Sequence, residues 1–453
     1  MSKFLLFLAA FLSIALFISR PLAAQVEPSA SGGSSSEDDS SMSAPPPVSG
    51  MAYANGEAKS NYLGLSVGVS GAYVTNILPN ETTAPLDEGD VSIGPSISLH
   101  RSTARESVDL TYSPSFSFYE PTSVLNTVGQ SASIGFQLRL TPHASANVSG
   151  SFVRTSDAYN QSYPFSNPIS GSPQTTQPIV IAPFAGQMFS SVSGGVSDQI
   201  SRDAMIGGSA SYSSFNLSNA PAGGGLYDSS GIGVSVYYDR RISARQYMGV
   251  GDSYSRTSDD APGQQYVTQV NSLNPFYTVN IKRNFSVSFS VGFSYVLPSD
   301  LYLTPNSPVA LTSQNSWQPT FGASTGWQGK RLNFAASFSR SVVTGGGLLD
   351  VYNAYNVAAS TGMMLSKAWS LGVSGSYANV GDITTSNVST LTTGDTIAGE
   401  ASISRALGKH FNVNFGYQRL HENYPGIGLI SADPDSNRVY ATLSYQFQRP
   451  LGR

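Results

Sequence analysis

The chain has 453 residues, of which 11% are charged, with a net charge of −4 and no cysteine. That charge content lies well below the roughly one quarter of a soluble domain. With 24 Lys+Arg against 28 Asp+Glu there is no basic excess for nucleic acid. The lack of cysteine excludes disulfides, thiolate metal sites and an acylated lipoprotein cysteine.

Residues 1–24 read as a secretory signal peptide. Lys3 supplies the positive start, Phe4 to Ile18 is apolar apart from Ser13, and Leu22-Ala23-Ala24 offers a small-residue cleavage site. A single membrane anchor is the competing reading, but the run is short for one. Residues 25–60 are rich in Ser, Gly and Pro, with an acidic Glu37-Asp38-Asp39 and prolines 45–47. Such a segment cannot bury apolar surface and is expected to be a disordered periplasmic tether. No later stretch is apolar enough for a transmembrane helix, which suits either a barrel or a soluble secreted protein.

From residue 61 the chain alternates. The clearest stretch is Asn284–Val296, where Phe285, Val287, Phe289, Val291, Phe293 and Tyr295 alternate with Ser and Gly. Period two is a β-strand with one apolar and one polar face. The polar face carries hydroxyls rather than the charge of a soluble surface, so it suits a wet lumen with the aromatics turned to lipid. Eighteen candidate strands follow this rule, at about 61–75, 91–101, 107–119, 128–140, 144–155, 187–199, 204–215, 230–240, 246–256, 266–281, 284–296, 315–327, 331–341, 353–365, 369–379, 393–405, 410–419 and 437–447. An insertion falls at about 156–186.

Every second strand ends in an aromatic on its apolar face, giving a repeat of roughly 40 residues that a propeller blade would share. A blade needs four short strands per period, and only two long ones are present. Short turns such as Thr141-Pro-His143, Arg202-Asp-Ala204, Lys282-Arg-Asn284 and Gly408-Lys-His410 alternate with long Pro/Gly/Ser/Asn loops. Trp317 and Trp327 share one face ten residues apart. At about 3.3 Å per residue and a tilt near 45°, that spans roughly 25 Å, the height of an apolar band between aromatic girdles. The expected fold is all-β: an up-and-down antiparallel transmembrane barrel over 61–447, followed by a tail at 448–453.

On this pattern the chain resembles bacterial outer-membrane β-barrel proteins of porin type. The last strand, Val439-Tyr-Ala-Thr-Leu-Ser-Tyr-Gln-Phe447, is similar to the C-terminal signal read by the barrel-assembly machinery. Gln448–Arg453 depart from it, since there the aromatic ends the chain. The Ser-Pro-Ser-Phe-Ser-Phe run at 113–118 loosely resembles barrels encoded with exopolysaccharide export systems. The resemblance implies an outer-membrane location, lipid as a partner, and a channel for neutral polar solutes or an aid to polysaccharide export. The alternative is a structural or adhesive barrel acting through its extracellular loops.

Chemistry beyond a channel is thin, so no enzyme activity and no cofactor are expected. Of four histidines, His100, His143 and His410 fall at short turns, leaving His421. Gly322-Ala-Ser324-Thr-Gly326 matches a nucleophile elbow but lies inside an alternating strand, so Ser324 reads as a lumen hydroxyl. Asp433-Pro-Asp435-Ser-Asn437 reads as a solvated turn rather than a metal site. Ionisable residues on the inward parity are Asp109, Arg139, Asp239, Glu400 and Arg438. With Asn412, Asn414 and Gln418 they supply the pore-lining candidates Asp109, Arg139, Glu400, Arg438, Asn412, Asn414 and Gln418. Asp109 and Arg139 are expected to oppose each other across strands 3 and 4, because their index sum centres the hairpin on residue 124. Asp252 breaks the parity of its strand, and a bulge near Gly249-Val-Gly251 is expected to re-aim it. Arg154, Arg256, Arg340 and Arg419 each follow a girdle aromatic by two residues on the lipid side, where lipid phosphate is the expected partner and ordinary snorkelling the competing reading.

Overall fold

The computed structural model describes residues 61–76, 87–120, 126–156, 186–218, 226–261, 264–282, 284–303, 315–329, 331–348, 351–383, 393–424 and 435–451. The signal and tether expected at 1–60, and most of the insertion at 156–186, lie outside the described residues.

All eighteen candidate strands are present. They are β1 Tyr62–Thr75, β2 Glu88–Ser102, β3 Glu106–Glu120, β4 Thr127–Arg139, β5 Ala144–Thr155, β6 Gly186–Ser201, β7 Ala204–Ser218, β8 Asp228–Ser243 and β9 Gln246–Ala261. The second half is β10 Gln264–Lys282, β11 Phe285–Leu303, β12 Ser316–Gln328, β13 Leu332–Thr344, β14 Val351–Met364, β15 Trp369–Asp382, β16 Thr393–Leu407, β17 Phe411–Asn423 and β18 Asp435–Pro450. Each strand pairs antiparallel with its sequence neighbours, and β1 pairs with β18 to close the ring. Both ends of the described chain meet at the short-turn rim, where the Leu451 N–H donates to the Asn61 carbonyl at 2.9 Å. The first three residues of the expected tail, Gln448–Pro450, continue β18 against β1.

The alternation sets the two faces. On β11, Phe289, Val291 and Phe293 are exposed on the outside, whereas Ser288 and Ser294 are buried on the inside. Opposed residues share a face, so the pattern carries around the ring. A closed ring with an apolar exterior satisfies its backbone internally, as a membrane requires.

Most strands run further at the long-loop rim than the alternation indicates. β9 continues past 256 to Ala261, and β11 past 296 to Leu303. The β9 extension is polar, Thr257-Ser-Asp-Asp260, and ladder hydrogen bonds need no apolar alternation once the strand leaves lipid. Proline interrupts the ladder locally: Pro95 and Pro114 fall opposite each other where the β2–β3 pairing lapses, and neither has an N–H to give.

Among the described residues, β12 and β13 part at the long-loop rim. The β12–β13 pairing stops at Phe321↔Arg340, so Ser316–Thr320 pair only with β11 and Ser341–Thr344 only with β14. Above that point the β13–β14 hairpin folds inward. Its outward-parity residues Val342 and Val351 pack on Val270 and Val296 of the inner wall. Thr344 bonds Thr257 at 2.7 Å, the Gly346 N–H donates to Ser229 Oγ at 3.0 Å, and the Tyr227 N–H donates to the Gly347 carbonyl at 2.9 Å. Gly345, Gly346 and Gly347 all take positive φ, which is what lets the tip turn there.

Candidate functional site

The inner wall is built from paired hydroxyls. Ser145–Ser197, Ser149–Ser193, Ser151–Ser191, Ser209–Ser235 and Ser272–Ser294 bond across adjacent strands at 2.7–2.9 Å. These pairs arise because alternating Ser residues oppose each other in register. Aromatic rings on the same face lie over glycines. Tyr237, Phe276 and Tyr440 are opposite Gly207, Gly249 and Gly416, and a Cβ at any of those glycines would collide with the ring. The rings therefore lie along the wall instead of crossing the lumen.

Polar groups concentrate on the β16–β17–β18–β1–β2 wall. Glu400 is opposite Gln418, and Gln418 is opposite Arg438. Arg438 reaches past Val74 of β1 to Asp90 of β2, with a 3.2 Å ion pair, and also donates to Gln418 Oε1 at 3.5 Å. Val74 lies buried next to it. The Tyr440 hydroxyl donates to Glu400 Oε1 at 2.6 Å and accepts from Asn414 Nδ2 at 3.4 Å. The Arg438 guanidinium stands 5.7 Å from the Tyr440 ring centre. Five pore-lining candidates thus sit on these strands, with Asn412 two residues before Asn414 on the same parity. Two members of the network, Asp90 and Tyr440, were not among the candidates. Asp90 lies one residue before the alternation of β2 becomes visible. Tyr440 has inward parity in the sequence, but an aromatic there reads as girdle unless Gly416 is seen opposite it.

The remaining candidates are dispersed. Asp109 is opposite Gly135, not Arg139, and the Arg139 N–H instead meets the Arg105 carbonyl. The β3–β4 hairpin is as expected, but its register differs by four residues. One exposed charge pair, worth about 0.2–1 kcal/mol, cannot outweigh the alignment of two apolar faces. Asp109 instead bonds His100 directly across β2–β3. His100 is buried and faces inward on β2, so it is not a turn histidine. Asp239 is also buried on the inward parity, opposite Gly249.

Asp252 is not re-aimed. Gly249, Val250, Gly251 and Asp252 each have partners on both β8 and β10, with no extra residue. Asp252 therefore stays exposed on the outer face, between Val236 and Leu273.

The four outward arginines differ. Arg154 and Arg256 are exposed on the outer face with no side-chain partner among the described residues. Arg419 pairs with Asp435 at 2.9 Å, and His421 bonds the same carboxylate at 3.1 Å while lying 3.7 Å from Asp395. Arg340 sits at the wall break, 5.3 Å over the Tyr355 ring. Of the expected Asp433–Asn437 turn, Asp433 and Pro434 lie outside the described residues. At the same rim, burial and the neighbouring Glu422 push the Tyr424 phenol upward, so it stays protonated and bonded to Thr396 at 2.8 Å.

No family model matches the chain, and no curated protein matches it. Solved structures with a similar strand arrangement include OpdK of Pseudomonas aeruginosa with vanillate, 9% identical over 85% of this chain and 99% of that one, with a TM-score of 0.40. OccK2 (OpdF) of the same organism, in complex with glucuronate, is 9% identical over 85% and 98%, at 0.41. A BenF-like porin from Pseudomonas fluorescens Pf-5 is 10% identical over 87% and 100%, at 0.41. At these values the likeness adds nothing to what strand order and exterior already establish. The fold is that of an outer-membrane barrel. A closed ring of eighteen antiparallel strands with an apolar outer face and a hydroxyl-lined inner one belongs in that membrane.

Proposed function

We propose that this barrel is a passive channel for small polar solutes, with the β16–β2 wall as its selecting surface. The observation that carries the reading is the Glu400–Tyr440 and Arg438–Asp90 network on a lumen wall that also holds buried Glu88 and Glu422 among Ser, Thr, Asn and Gln. Barrels of 16–18 strands are wide enough for an aqueous path. Both signs of charge stand on one wall, so neither a cation nor an anion ring forms, and neutral or zwitterionic solutes fit best. The tucked β13–β14 hairpin narrows the opposite side at the long-loop rim. Arg154 and Arg256, free on the outside, would anchor that rim to anionic lipid phosphate. Nothing in the geometry favours polysaccharide export. The rival reading, a structural or adhesive barrel, predicts no conductance.

The test is single-channel recording in a planar bilayer under a salt gradient. The wild type is expected to conduct with weak ion preference. Asp90→Asn leaves Arg438 without its counter-charge and should turn the channel measurably towards anions. A folded, heat-modifiable barrel with no conductance above bare lipid would overturn the proposal.

A further inference from the structure

The break between β12 and β13 leaves several polar groups without a partner among the described residues. Ser316–Thr320 of β12 have no strand on their β13 side, so the N–H and C=O groups pointing there are without a ladder partner among the described residues. Pro319 interrupts the same edge, as prolines do on unpaired strands. Gln318, inward on β12, and Arg340, outward on β13, are 3.5 Å apart. Side chains of opposite parity on adjacent strands can meet only through a gap in the sheet. Asn353 also donates to Gln318 Oε1, at 3.1 Å. Arg340 Nε and Asn353 Oδ1 are both buried with no hydrogen-bond partner among the described residues. A buried guanidinium N–H left unbonded is destabilising unless a ligand or water accepts from it.

The outer side of the break is apolar. Trp317 is 63% exposed and lies 4.7 Å from the Tyr295 ring and 5.1 Å from Phe293. Phe321 and Phe338 stack at 5.6 Å on the strands that part there. Arg340 follows the girdle residue Phe338 by two positions, which places it where acyl chains give way to headgroups. No ion pair of Arg340 with a carboxylate occurs among the described residues.

We infer that this break binds an amphiphile with an anionic head, carboxylate or phosphate. The head sits on Arg340 and the free β12 edge, and the tail lies along Trp317, Phe321 and Phe338. Arg340 makes the break cationic, its unbonded Nε–H suits an anion, and the aromatic shelf suits a chain. This site lies in the wall and stands whether or not the lumen conducts.

The chain has three tryptophans, so Trp317 can be isolated by Trp327→Phe and Trp369→Phe. The protein is placed in phosphatidylcholine vesicles, and Trp317 quenching is followed with nitroxide-labelled stearate, phosphatidylglycerol or phosphatidylcholine. Saturable quenching by an anionic probe is expected, with half-saturation about tenfold below that of labelled phosphatidylcholine. Stearate acting alone identifies a free amphiphile, and phosphatidylglycerol acting alone identifies a bound membrane lipid; either supports the site. Arg340→Gln should erase the preference, and the distant turn variant Lys367→Gln should keep it. Asn353→Ala serves as the second site variant if Arg340→Gln fails to fold. Equal quenching by all three probes, or a preference that survives both site variants in folded barrels, overturns the inference.

Discussion

Two sectors of the barrel obey one alternation rule and end differently. On the β16–β2 wall the sheet is a single layer, and its inward polar side chains bond mainly along the wall, as Arg438 does to Asp90 and Tyr440 to Glu400. On the β9–β13 wall the sheet overlaps itself. There the β13–β14 hairpin turns in, and its outward-parity valines meet the inner face of β10 and β11. The same residues would face lipid if β13 stayed paired to β12. Parity therefore fixes which residues share a face, whereas the end of the strand pairing decides what that face touches. The single-layered wall carries an ion pair on its inner face; the double-layered wall buries valines between its two layers.

The sharpest way to break this contrast is to prevent the overlap. Val351 is fully buried against Val270, Val296 and Val342. Val351→Asp puts an unpaired carboxylate there, at a local cost of about 3–5 kcal/mol, enough to expel the hairpin tip. Conductance should rise and a protease should cut near the glycines at 345–347, while heat-modifiable mobility persists because the membrane-embedded pairing is untouched. Unchanged conductance and protease resistance in a folded variant would mean that the overlap does not shape the opening.

A smaller effect separates the outer faces. Two residues inside the girdle aromatic, the other upward strands carry Gly71, Phe116, Gly150, Ala210, Phe293, Ala336, Gly375 and Phe415, and β9 carries Asp252. Asp252→Val should stabilise the barrel by about 1–2 kcal/mol, since charge facing lipid is unfavourable in a depth-dependent way. Urea titration of folding into vesicles measures it. A loss of stability would show that Asp252 has a partner within the membrane.

The sequence makes the strands legible because Ser/aromatic alternation repeats eighteen times and one-residue slips would invert every face. It does not reveal the wall break. Val342 and Val351 keep their parity in the hairpin, so nothing in the pattern separates lipid contact from overlap. Asp252 shows the opposite failure: its parity is legible, and the expected bulge was a rescue that the ladder does not contain. The candidate wall was half visible. Glu400, Gln418 and Arg438 follow from parity, whereas Asp90 sits beyond the apolar alternation and the Asp109 register hung on a charge pair too weak to set it.

The smallest predicted change tests whether the network holds its charges in place. Tyr440 keeps Glu400 against the wall with a 2.6 Å hydrogen bond, and its ring is held flat over Gly416 by the absence of a Cβ there. Tyr440→Phe removes the hydroxyl and leaves the ring, so packing survives and about 1–2 kcal/mol of bonding to a charged acceptor is lost. Glu400 is only partly buried, so water can replace the phenol and the carboxylate is free to lean into the lumen. Reversal-potential measurements should therefore show a slight move towards cations. Glu400→Gln, which deletes the charge, should move the same potential the other way. Opposite signs from two substitutions at one hydrogen bond would distinguish a released charge from a damaged wall. Equal signs, or no shift from Tyr440→Phe, would mean that Glu400 does not reach the conducting path.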